Sequence, residues 1–186
     1  MVSSVYLTHP EVVVDPKVPV SDWGLNSAGS ARTRANAHRF KGMERIVTST
    51  EQKARDAGVI IAESCGIPFE ALPGFGENDR SATGYLPEIE FWPVVEAFFA
   101  KPDESARGWK TACEEQTRIV TSVTAALTEQ NVPTLFVGHG GVGSLLFAHL
   151  ANHPIGEKST LSNGMGRAFG FNLSGITRPW HDLEDH

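Results

Sequence analysis

The sequence predicts one α/β domain, a three-layer α/β/α sandwich with a mostly parallel central sheet. Three observations predict it. Short segments rich in Val, Ile and Leu alternate with longer segments of helical spacing. The stretch from Thr134 to Val137 reads as a strand buried on both faces, as in the middle of a parallel sheet. The polar pairs Thr8-His9, Ser49-Thr50 and His139-Gly140 each follow directly on a strand segment. With 186 residues, 40% hydrophobic and 20% charged, the chain suits a single domain spanning residues 1–186, with no linker and no internal repeat.

The elements follow in order. Val5, Tyr6 and Leu7 favour a strand from Val2 to Thr8, closed by His9-Pro10 because proline cannot donate to a ladder. Asp15-Pro16 and Pro19 mark a loop. Leu25 to Phe40 reads as a helix stopped by Gly42. Arg45 to Thr48 is a short strand, and Ser49 with Gln52 forms a capping box for a helix ending at Gly66. Residues 68 to 87, rich in Gly and Pro, read as a long irregular stretch. Helices are expected over Glu88–Ala100, Ser105–Gln130 and Val142–Asn152, the second with Trp109, Ala112, Ile119, Val123 and Leu127 on one stripe. Ala168 to Leu173 is read as the final strand, followed by a loose acidic tail from Asp182.

Composition narrows the function. The formal net charge is -6, and no basic run offers the clustered positive face that nucleic acid requires. No segment approaches the roughly 20 apolar residues of a membrane span, and no signal peptide is evident, so a cytoplasmic protein is expected. Cys65 and Cys113 have no CxxC partner and read as buried or half-buried thiols. Nothing in the sequence sets the oligomeric state.

In an open α/β sheet, ligands bind outside the carboxyl ends of the strands. His9, Ser49, Thr50, His139 and Gly140 therefore converge on one edge. A neutral imidazole, with an ordinary pKa of about 6.5, is a nucleophile near neutral pH. A second histidine can stabilise charge on a transferred group, and phosphoryl transfer needs little more than positioning, cations and an acid. Lys53 lies one turn into the helix after Ser49, where a helix N-terminus attracts anions. Glu77, in the irregular stretch, is the candidate general acid, and Arg80 lies three residues on.

These segments resemble the histidine phosphatase superfamily, in its phosphoglycerate mutase-like branch, over nearly the whole chain. Val5-Tyr6-Leu7-Thr8-His9-Pro10 corresponds to the opening strand that ends in Arg-His-Gly in the family. Leu25-Asn26-Ser27-Ala28-Gly29 matches a Leu-Thr-x-x-Gly segment. Thr48 to Ala54 matches the strand, serine and helix that carry a phosphate-binding arginine, with Lys53 at its place. Gly76 to Arg80 fits the segment carrying the acid, and Phe136 to Gly141 fits the closing His-Gly. The resemblance implies a phosphatase acting on a small phosphorylated metabolite through a phosphohistidine on His9. It implies Glu77 and His139 as catalytic partners, and Thr8, Ser49, Thr50, Lys53, Arg80 and Gly140 around the substrate. It implies that residues 68–100 insert as part of the active-site cover, and that neither cofactor nor metal is required. Family mutases are longer, which favours hydrolysis.

The chain also departs from the pattern. Thr8 and Lys53 stand where the family has arginines, and Pro10 where it has glycine. Arginine grips phosphate through a bidentate fork; lysine is a point charge and threonine is neutral. Arg32, Arg34 or Arg80 would have to compensate. The alternative is a degraded member that binds anions without turnover. A third reading takes Gly138 to Gly143 as G-x-G-x-x-G of a dinucleotide site, with Glu157 about 20 residues on; only one predicted strand follows it, which argues against a full nucleotide fold. His149 and His153 lie four apart, but Pro154 ends their helix and no third metal ligand adjoins.

Overall fold

The computed structural model describes residues 2–186. The first strand, β1 (Ser4–Thr8), is fully buried, and its residues alternate between two faces as the pleat requires. Val5 and Leu7 enter one core and Tyr6 the other. Strands β2 (Arg45–Thr48) and β4 (Thr134–Gly138) divide in the same way: Ile46, Leu135 and Val137 lie on the first face, Val47 and Phe136 on the second. Two further strands, β3 (Phe69–Ala71) and β5 (Arg167–Asn172), and a sixth, β6 (Gly175–Asp182), complete a sheet of order β3-β2-β4-β1-β5-β6. β3, β2, β4 and β1 run parallel; β5 is antiparallel to β1, and β6 is antiparallel to β5. The sandwich is the predicted one.

Helices cover both faces. α1 (Ser27–Asn36) and α2 (Gln52–Cys65) lie over the first core, where Ala54, Ala57 and Ile61 are buried. α3 (Glu88–Ala100), α4 (Ala112–Glu129) and α5 (Gly140–Leu150) cover the second. There Phe136, Phe169 and Phe171 pack with centroids 5.6 to 5.9 Å apart; burying each such ring stabilises by about 1.5–3 kcal/mol. None of the helices among the described residues is long and apolar enough to cross a membrane.

Several expectations are corrected. The helix expected from Ser105 begins only at Ala112. Arg107 and Gly108 have positive φ (52° and 85°), which no helix continues through. Thr111 then caps α4 in a full capping box with Glu114. Trp109 is buried, but from the preceding loop. The irregular stretch 68–87 contains β3 and a short 3-10 turn at Pro73–Phe75. Three-residue β3 shows no period long enough to read. The sheet also does not end at Leu173: β6 follows as an edge strand, which is where Pro179 is tolerated. The acidic tail is not loose, since Leu183 is buried and Glu184 holds Arg32 at 2.6 Å.

Candidate active site

β4 lies between β1 and β2, so their carboxyl ends open side by side. Backbone bonds stitch the three exits together: His9 N–H donates to the Gly138 carbonyl (2.9 Å), and Ser49 N–H to the Val137 carbonyl (3.2 Å). His9 and His139 thus meet edge to face, ring centroids 5.3 Å apart. The Pro10 carbonyl lies 2.9 Å from His9 Nδ1. A carbonyl only accepts, so the neutral ring carries its proton on Nδ1 and its lone pair on Nε2. Burial, and then the neighbouring His139, push the His9 imidazole down to about 3, so it is unprotonated at neutral pH.

His139 is fully buried. The Tyr6 hydroxyl accepts from its N–H (3.0 Å) and donates to its carbonyl (3.1 Å). Its Nε2 lies 2.7 Å from Ser49 Oγ and 3.4 Å from Glu51 Oε1, while its Nδ1 is buried without a partner. Burial holds this imidazole below the ordinary histidine range, against the pull of the Glu51 and Glu77 carboxylates.

Ser49 is therefore not the capping box of α2. Its hydroxyl turns to His139 and accepts from Glu51 N–H (3.2 Å); Glu51 occupies the cap position with no side-chain cap bond. Thr50 is exposed and lies outside this network. Lys53 is buried and donates to Glu51 Oε2 (2.6 Å) and to the Val20 carbonyl (2.8 Å). Thr8 turns away from the pocket, its hydroxyl accepting from Arg167 N–H at 2.9 Å.

Glu77 reaches the N-terminus of α5. Its carboxylate accepts from the N–H groups of Gly141 (3.1 Å), Val142 (3.0 Å) and Asn78 (3.0 Å). Burial pushes its carboxyl up, but Arg80, His139 and the Asn78 N–H outweigh that and hold it below the usual carboxylate range. Gly140 opens the helix, and its carbonyl accepts from Ser144 Oγ. Arg118 in α4 holds the loop from beneath, donating to the carbonyls of Gly74, Gly76 and Glu77 and pairing with buried Glu115. Arg80 lies over the Phe91 and Trp109 rings, 5.3 and 5.7 Å from their centroids. Among the described residues its guanidinium N–H groups meet no acceptor. Arg32 is spent on Glu11, Glu184 and the Met165 carbonyl, and Arg34 is exposed on α1.

The glycines of Gly138 to Gly143 serve this site and not a nucleotide. A Cβ on Gly138 or Gly143 would meet the Tyr6 ring system at 2.3 or 2.5 Å, and one on Gly141 would meet Glu77 Oε1 at 2.6 Å. The anion seat at the start of α5 is already filled by the Glu77 carboxylate. Among the described residues no group of three His, Cys, Asp or Glu is placed to hold a metal. Sequence reading missed Tyr6, Glu51 and Arg118. Only Glu51, two residues after Ser49, carried a readable signal, and the apparent capping box hid it.

The histidine phosphatase superfamily (branch 1) model matches residues 17–166. The chain belongs to that superfamily. His9 precedes the matched residues, and it is the fold that sets it beside His139. No curated protein sequence matches the chain. Histidine phosphatase folds resemble it closely at low identity. A mycobacterial glucosyl-3-phosphoglycerate phosphatase superposes with TM-score 0.76 at 18% identity, covering 97% of this chain and 96% of its own. Bacillus stearothermophilus YhfR gives 0.77 at 16%, covering 96% and 95%. A mutant Entamoeba histolytica phosphoserine phosphatase in complex with phosphoserine gives 0.77 at 11%, covering 99% and 98%. At these identities the likeness speaks for the fold.

Proposed function

We propose that this histidine phosphatase superfamily member is a phosphoric monoester hydrolase acting on a small phosphorylated metabolite through a phosphohistidine on His9. The observation that carries the reading is the His9 ring itself: neutral, with Nδ1–H committed to Pro10 and Nε2 left as the nucleophilic atom beside His139. His9 Nε2 forms a bond to phosphorus as the bond to the leaving oxygen breaks. Glu77 gives that oxygen its proton. Its carboxyl rests ionised; the arriving phosphoryl charge raises its proton affinity, as like charges do, so it takes up a proton from solvent as substrate binds and returns it to solvent when phosphate leaves. Water then attacks phosphorus and returns a proton to Glu77. The N–P bond breaks, releasing inorganic phosphate and neutral His9. Arg80, with unspent donors on its aromatic shelf, is the compensating grip on the phosphoryl oxygens in this reading. Ser49 orients His139. Two free cysteines accord with a reducing, cytoplasmic setting.

A second reading, an anion-binding module without turnover, is favoured by the two committed groups at the family's arginine positions, Thr8 on Arg167 N–H and Lys53 on Glu51. Hydrolysis of a generic aryl phosphate by wild type and His9→Ala separates the two. The expected result is activity in the wild type and a loss of at least about a thousandfold in His9→Ala. Equal activity in both removes His9 from the mechanism. Phosphate binding without turnover selects the module.

A further inference from the structure

The Glu51 carboxylate sits among the groups that would receive a phosphoryl oxygen. Its Oε2 accepts from Lys53 Nζ at 2.6 Å. Its Oε1 accepts from Glu77 N–H at 2.8 Å and lies 3.4 Å from His139 Nε2. Both partners of the ion pair are shielded, with side-chain exposures of 16% for Glu51 and 4% for Lys53. The remaining Lys53 bond goes to the Val20 carbonyl. The charged and titratable groups that face this spot are Lys53 from α2, Glu77 and Arg80 from the 76–80 segment, His139 from the end of β4 and His9 from the end of β1. Burial pushes both imidazoles below the ordinary histidine range. Lys53 and Arg80 thus face the two carboxylates of Glu51 and Glu77.

Building on the phosphatase reading above, we propose that Glu51 is a specificity-determining residue. It takes up the lysine and the Glu77 N–H in advance of substrate, so the site accepts a phosphate monoester as its singly protonated monoanion in preference to the dianion. Coulomb energy scales with the product of the charges, so a carboxylate facing the pocket weighs twice as heavily against a dianion. The protonated form also brings a P–OH that donates to a Glu51 oxygen, turning the contact from repulsion into a charge-assisted hydrogen bond.

Calorimetric titration of inorganic phosphate tests this in wild type and Glu51→Gln, at about pH 5, where phosphate is the monoanion, and about pH 8, where it is the dianion. Glu51 stays ionised at both, because His139 and Lys53 outweigh burial and hold its carboxyl at about 2. Glutamine keeps an oxygen for the Glu77 N–H. Glu51→Gln should bind the dianion about tenfold or more tightly, because the repulsion is gone, and should leave the monoanion unchanged or bound more weakly, because the charge-assisted hydrogen bond is lost. The wild type alone supplies a second test, binding phosphate more tightly at the lower pH. An equal gain at both pH values, no gain for the dianion, or tighter wild-type binding of the dianion overturns the proposal and leaves the phosphatase reading standing. Phosphate bound by neither protein removes both.

Discussion

The two sides of the strand-end pocket are held by different kinds of force. On the histidine side the fixing contacts are backbone and neutral. Tyr6 clasps both backbone groups of His139, Gly138 and Gly143 leave room for its ring, and Pro10 and Gly138 carbonyls hold His9. On the other side every contact involves a charged side chain: Lys53 with Glu51, Glu51 with Glu77 N–H, Arg118 with Glu115 and three loop carbonyls, Arg80 near Glu77. A nucleophile fixed by the sheet tolerates little change, because its hydrogen-bond partners, the Pro10 and Gly138 carbonyls, are main chain. A grip made of side-chain charges can be rewired one residue at a time.

That contrast can be broken from either side. The largest effect belongs to His9→Ala, whose aryl phosphatase activity should vanish while phosphate affinity changes little. Arg118→Met comes next. It strands buried Glu115 and frees the loop, at a cost of about 3 to 5 kcal/mol in chemical denaturation. Adding Glu115→Gln should recover much of that stability but not the activity, because the Gly74, Gly76 and Glu77 carbonyls remain without their donor. Full recovery of turnover in the double variant would show that the loop does not depend on Arg118. Gly141→Ala is a gentler wedge. Its Cβ would lie 2.6 Å from Glu77 Oε1 and 2.5 Å from Asn78 Oδ1, and should lower kcat by about ten- to a hundredfold with the fold intact. An unchanged kcat would separate Glu77 from proton transfer.

The smallest effect is in stability against pH. His9 is held neutral down to about 3, against an ordinary 6.5. The unfolded chain therefore binds more protons, and stability falls as pH drops below about 6.5. Glu51 acts in the same direction lower down. Its contribution is complete above about 4.5 and is lost towards about 2. Urea midpoints should decline by the equivalent of about 1–2 kcal/mol from pH about 7 to about 5, and His9→Asn should flatten that upper part. A variant with the wild-type slope would assign the acid sensitivity elsewhere.

Much of this was legible in the residues. The buried strands announce themselves through β-branched and aromatic runs, and α3 matches its expected bounds from Glu88 to Ala100. His9 and His139 could be paired because strand ends in a parallel sheet must share an edge. β3 and β6 were not legible: one is three residues long, the other an exposed edge strand containing Pro179. The break before α4 was hidden because Arg107 and Gly108 sit in a stretch that otherwise suits a helix, and only their positive φ shows the turn.

What the sequence by itself determined is the alternation of strands and helices, the histidines at two strand ends, and the absence of arginine at Thr8 and Lys53. Local pattern suffices for these, because period and residue type are properties of neighbours in the chain. The tertiary structure alone decided what each polar group spends its bonds on. Ser49 serves His139 and not a helix cap, Thr8 faces Arg167, Glu51 holds Lys53, and Arg80 keeps its donors free. The bonds of Ser49 and Thr8 join residues 90 and 159 positions apart, and buried polar groups settle such choices by competing for partners that only the folded chain brings within reach.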